Sequence, residues 1–157
     1  MKRISISILA GIAVIFGIIP DCAGAVCVGG LSLAAEMPTI RQAAQRNFCC
    51  GDDFLILLAI RKAENGRAGC EFGIMHPKAW STDLDTQAGW AAATIIKNRK
   101  RWIDSGRCCY DFIEFLGRRY CPVETDPQGH INWVKNVRYF YTKYKEAEKK
   151  KYAKGQG

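Results

Sequence analysis

Seven consecutive apolar residues, Phe54-Leu55-Ile56-Leu57-Leu58-Ala59-Ile60, set the terms on which this chain can fold. A helix built from such a run is apolar on every side, so it has no solvent face and other elements must wrap around it. Arg61, Lys62, Glu64 and Asn65-Gly66 come next without a spacer. Asn and Gly readily take the left-handed conformation that closes a helix, so a buried helix is predicted from about Asp53 to residue 65 or 66. Glu64 then stands where a core helix leaves the core. A carboxyl there is partly desolvated, which raises its pKa and equips it as a general acid. The plainer account is a surface carboxylate near a helix end with no chemical duty, and position alone does not separate the two.

The N-terminus reads as an export signal. Met1-Lys2-Arg3 is basic, Ile4 to Ile19 is apolar, and Ala23-Gly24-Ala25 has the form of a cleavage site. The apolar stretch is broken by Ser5, Ser7 and glycines and is short for a membrane span, with an uncleaved anchor as the alternative. Neither Cys22 nor Cys27 comes after a lipoprotein-like Leu-Ala-Gly run, so no lipidation is expected. Cleavage after Ala25 leaves Cys27 and six further cysteines, whereas cleavage as late as Ala35 leaves Cys49, Cys50, Cys70, Cys108, Cys109 and Cys121. A signal in front of that many cysteines points to a secreted or periplasmic, disulfide-stabilised domain. No Cys-x-x-Cys and no His pair is present, so neither a metal nor any other cofactor is expected. Cys49-Cys50 and Cys108-Cys109 are vicinal. A bridge between neighbours would strain the backbone, so each is expected to bond elsewhere, with the connectivity open. Beyond the signal the chain has the length of one ordinary domain. The net charge of +8 favours polyanionic surroundings without choosing among envelope, nucleic acid and anionic lipid.

Val26 to Ala35 is small and apolar and reads as a loose arm or an extension of the signal. Pro38 to Phe48 has helical spacing, with Ile40, Ala43, Ala44 and Phe48 on one side. After the buried helix, Gly66, Gly69, Gly73 and Pro77 punctuate an irregular or small β segment. Thr82-Asp83-Leu84-Asp85 supplies capping and first-turn acids for a helix to about Ile103. Tyr110 to Tyr120 carries Phe112, Phe115, Leu116 and Tyr120 at helical spacing. Pro122 to His130 reads as a loop and Ile131 to Tyr144 as a last helix, with Trp133, Val137, Phe140 and Tyr144 in register. Lys145 to Gly157 is a basic tail, expected as a solvated, fraying helix end. The domain is thus bounded at residues 36–144, between signal and tail.

Buried helix, Glu, glycine-rich irregular segment and further helices, in that order, resemble the lysozyme-like fold, and in particular the lytic transglycosylase and goose-type lysozyme group. Leu58-Ala59-Ile60-Arg61-Lys62-Ala63-Glu64-Asn65-Gly66 is similar to that family's apolar helix ending in Glu-Ser-Gly, whose Glu is the catalytic acid. Gly73-Ile74-Met75-His76 is similar to its Gly-Leu-Met-Gln segment, which lines the sugar cleft, with His76 in place of Gln and a shorter spacing between the two motifs. The family's Tyr-Asn-Ala-Gly stretch has no direct counterpart; Tyr120 and Asn132 are the nearest substitutes. The likeness covers Asp53 to Tyr144 in architecture and some thirteen residues in motif.

The resemblance implies a mainly α, lysozyme-like domain that cleaves the β-1,4 bond between N-acetylmuramic acid and N-acetylglucosamine in peptidoglycan. Glu64 is its acid/base, and Gly73, Met75, His76, Tyr120 and Asn132 contact substrate. Protonating the leaving oxygen requires an acid that keeps its proton near neutral pH, which suits Glu64. Hydrolysis usually adds a second carboxylate. Glu71, Asp83 and Asp85 are the candidates, although Asp83 and Asp85 already serve a helix start. With no clear second carboxylate, single-acid transglycosylase chemistry is favoured over hydrolysis. Competing duties exist for the others as well: His76 as a turn residue before Pro77, Met75 and Tyr120 as core, Asn132 as a helix start. Spacing likewise assigns Trp102 and Trp133 to the core, with Trp80 and Trp90 left as sugar platforms. The expected partner is peptidoglycan glycan, bound by a monomer, with no nucleic acid and with membrane contact only through an uncleaved signal. The alternative is a non-catalytic, basic envelope-binding or inhibitory module, in which Glu64 is dispensable and binding weakens steeply with salt.

Overall fold

The computed structural model describes residues 29–108 and 111–154. They form five helices: α1 (Gly29–Arg46), α2 (Gly51–Glu64), α3 (Leu84–Asp104), α4 (Phe112–Tyr120) and α5 (Pro127–Lys154). The protein is mainly helical, with no strand among the described residues, so the segment between α2 and α3 is irregular rather than β. The expected signal, residues 1–25, lies outside the described residues.

α2 is the axis of the molecule. Leu55 through Arg61 are all buried. α5 covers it most extensively, with α3 and α1 on other sides. Asn65 closes it in the left-handed region at φ 44°, its N–H donating to the Arg61 carbonyl. Ile40 of α1, Leu57 and Ile60 of α2, Ile95 of α3, Leu116 of α4 and Val137 of α5 meet in one fully buried core. Two ion pairs fix the shell to the axis. Arg61 donates to both oxygens of Glu36 on α1 at 2.7 and 2.8 Å, and Arg99 on α3 pairs with Asp53 at the start of α2.

Several boundaries differ from the sequence expectation. α1 begins at Gly29 and continues through Pro38, so the domain edge expected at residue 36 falls inside a helix and Leu33 belongs to the core. Phe48, expected on the buried side of that helix, is 85 % exposed. The helix stops at Arg46, the chain turns with Phe48 at φ 56°, and Cys49 enters the core in its place. α5 starts at Pro127, inside the expected loop. Proline lacks only the N–H that a first turn leaves unpaired anyway, and the Asp126 carboxylate accepts from the Gly129 N–H at 2.8 Å. At the other end the helix runs through the expected tail to Lys154.

The disulfide framework is also corrected. Cys49, Cys50, Cys70 and Cys121 are free thiols, and Cys109 lies outside the described residues. Cys49 is packed as a core side chain while its neighbour Cys50 is exposed, so the two face different surroundings.

The 65–83 segment is irregular yet fixed. Phe72 anchors it in the core with no exposed surface. Gln87 of α3, fully buried, donates its amide to the carbonyls of Gly69 (3.0 Å) and Ala79. The Ser81 N–H donates to the Gly69 carbonyl at 2.9 Å.

Candidate active site

Glu64 is the last residue of α2, and its carboxyl is partly buried where the apolar rod ends. The indole N–H of Trp133, from α5, donates to Oε1 at 2.7 Å. Against the carboxyl lies the backbone of Gly73, at φ 65°, where a Cβ would stand 2.5 Å from Cδ of Glu64. Glycine is required there twice over, by the backbone conformation and by the close approach. Burial raises the Glu64 pKa above the ordinary 4.5, and the Trp133 hydrogen bond, which favours the charged form, offsets only part of that.

Tyr120, the last residue of α4, stacks on Trp133 with ring centroids 4.9 Å apart and planes inclined by 19°. Its hydroxyl is buried with no partner among the described residues. Burial pushes the phenol pKa up, and the Glu64 charge adds to the effect. α4 and α5 approach closely enough to hold this pair because Gly117 has no side chain; a Cβ there would meet Val134 at 2.8 Å and the His130 ring at 3.0 Å. His130 locks the same junction, its Nδ1 2.9 Å from the Cys121 carbonyl and its Nε2 3.1 Å from Glu114. Burial opposes protonation of this imidazole, but the Glu114 carboxylate and the carbonyl outweigh it, so the net shift is upward.

A cleft of about 820 Å³ opens beside the carboxyl. Gly73, Ile74, Met75 and His76 form one wall, α3 another, and Tyr120 and Arg119 close one part. Glu64 does not itself line this volume; its carboxyl abuts Gly73, which does. Met75, for which a core position was the competing reading, is 72 % exposed at this wall. His76 is exposed, accepts from the Lys78 N–H at 3.2 Å and lies with its ring centroid 5.0 Å from that of Trp90.

The structure thus brings Gly73 and Tyr120 to Glu64 and sets Met75 and His76 along the same cleft. Asn132 is not on its wall; its side-chain oxygen accepts from Gln128 one turn earlier at 3.2 Å. The three further carboxylates have other settings. Asp83 caps α3, accepting from the Thr86 N–H at 2.8 Å, and hydrogen bonding from the Thr86 side chain, then from its N–H, holds its pKa below the ordinary value. Asp85 pairs with Arg46, accepting at 2.6 Å. Glu71 is buried, its Oε2 has no hydrogen-bond partner among the described residues, and like Glu64 it does not line the cleft. Trp133 is the residue that sequence reading missed. Its spacing marks it as core, and the body of the ring does pack there while the N–H reaches Glu64.

Comparison with family models, with curated proteins and with solved structures returned no match for this chain.

Proposed function

We propose that this protein is a lysozyme-like, peptidoglycan-cleaving enzyme of the lytic transglycosylase type, with Glu64 as its acid and base. The observation that carries the reading is the Glu64 carboxyl. It terminates an apolar helix, is held by the Trp133 N–H and pressed against Gly73, and stands beside a cleft that begins at that glycine. Raised by burial, the carboxyl retains a proton to give to the glycosidic oxygen as the bond from C1 of N-acetylmuramic acid breaks. The resulting carboxylate then takes the proton of the same sugar's primary hydroxyl as that oxygen bonds to C1. The product is an internal anhydro end, and Glu64 is reprotonated. No water and no second carboxylate are needed, which agrees with Asp83 and Asp85 being held by a helix start and by Arg46.

The export reading, with a secreted or periplasmic location, stands with this function. Of its two cleavage points, the one after Ala25 leaves α1 whole, whereas one after Ala35 would remove the core residue Leu33. Mass spectrometry of purified peptidoglycan after incubation with the protein tests the activity. Anhydro-terminated fragments are expected; reducing ends would mean hydrolysis, and unchanged strands would leave the non-catalytic binding module.

A further inference from the structure

Most of the cleft wall contributed by α3 has no part in the chemistry assigned to Glu64. Trp90, Thr94, Lys97 and Arg101 succeed one another along it at i, i+4, i+7 and i+11, a single helical stripe. The stripe extends over roughly 16 Å of helix axis, so it suits a strand rather than one ring. Its character changes along its length. The aromatic end pairs Trp90, 38 % exposed, with His76. The cationic end is Lys97 and Arg101, joined from α4 by Arg119. None of these three cations enters an ion pair among the described residues, and no acidic side chain lines the cleft. An ordinary solvated helix face mixes both signs and is convex. Here a concave wall carries one sign, which focuses its field on whatever enters. Tyr120, whose hydroxyl is buried with no partner among the described residues, lines the same cleft.

Resting on the peptidoglycan reading, we infer that Lys97, Arg101 and Arg119 form a subsite for carboxylates carried by the glycan strand, with a sugar face against Trp90 and His76. The ligand is therefore an anionic glycan rather than a neutral polysaccharide. Two sources supply that chemistry: the lactyl carboxylate of the sugar itself and the carboxylates of an attached peptide stem.

Binding to Glu64→Gln protein tests this without turnover. Calorimetric titrations would use chitotetraose as the neutral glycan, a peptide-free peptidoglycan tetrasaccharide, the same tetrasaccharide with its stems, and a single-stranded oligonucleotide. The charged glycans are expected to bind about tenfold more tightly than chitotetraose, the scale of one or two charge-assisted contacts. Adding Lys97→Gln and Arg101→Gln should take away most of that preference, and Arg119→Gln alone should remove a smaller part. Lys149→Gln with Lys150→Gln, the same loss of charge on the exposed end of α5, should leave the preference in place. A further gain from the stems assigns the peptide carboxylates; equal binding with and without them assigns the lactyl group. Equal affinity for neutral and charged glycans overturns the inference, as does a preference that survives the double substitution undiminished or an oligonucleotide that outbinds every glycan. Wild-type protein that binds with this preference yet cuts nothing would end the enzymatic reading and keep the subsite, while cutting without preference would end the subsite alone.

Discussion

At Glu64 two effects act on one proton in opposite directions. Burial holds the proton on, the Trp133 N–H favours its release, and burial is the larger. Glu64→Gln keeps the acceptor for Trp133 but has no proton to give, so activity on peptidoglycan should fall by a factor on the order of 10²–10⁴. Glu71→Gln, Asp83→Asn and Asp85→Asn should each leave activity far closer to wild type. Trp133→Phe removes the effect that lowers the pKa, so the alkaline limb of the activity profile should move to higher pH; a shift to lower pH would contradict the assignment. The same proton enters stability. The folded state holds it to higher pH than the unfolded chain, whose carboxyl titrates near 4.5, so wild-type stability falls as pH rises from there through the folded-state pKa and is level above it. Glu64→Gln lacks that loss, so its stability relative to wild type should rise across the window. Urea titrations at about pH 4 and about pH 8 check the sign. Glu64 is legible in the sequence because its signal is local, an apolar run ending in Glu-Asn-Gly. Trp133 is not, since a tryptophan in helical register reads as core and the bond to Glu64 spans 69 positions.

Between elements, the α2 terminus is made functional by the segment that succeeds it. Gly73→Ala should retain helix content and cost about 1–2 kcal/mol for a side chain at positive φ. It should also abolish activity, because the added methyl occupies the place of the carboxyl. Gly106→Ala is the matched control. It has φ 70° with nothing within 4 Å of its Cβ position, so it should show a similar stability loss with activity intact. Equal activity losses in the two would dissociate Gly73 from the site. α2 and α3 are readable to within a few residues, since the all-apolar run and the Asp83 cap are strong local signals. The expected starts of α1 and α5 both fall at or near a proline. Pro38 is the expected start of one helix and Pro127 lies in an expected loop, yet α1 continues N-terminally through the first and the first turn of α5 accommodates the second. The cationic stripe has no local signature at all, because lysine and arginine on a helix read as solvated surface until α4 and the 65–83 segment make that surface concave.

Across the whole molecule, the cysteines are where composition misleads most. Their number after a signal-like start argues for bridges, yet Cys49 belongs to the core and Cys50 to the surface. Burial first, then the Asp53 and Cys50 charges, push the Cys49 thiol up to about 12. A thiol reagent applied to native protein should therefore label Cys50 and spare Cys49 until denaturant is added; equal labelling rates would contradict this packing. With those thiols free, the export reading draws its support from the sequence of residues 1–25 rather than from the described cysteines. One buried amide has a different kind of consequence. Gln87 grips the 65–83 segment by the carbonyls of Gly69 and Ala79, and a carbonyl is the one group every residue type supplies. The grip is blind to side chains, so the exposed Met75 and His76 can be exchanged without unmooring the wall they form, whereas Ile74 packs against the core. Specificity in this cleft is a replaceable part, and a library randomised at Met75 and His76 should return folded proteins with new ligand preferences.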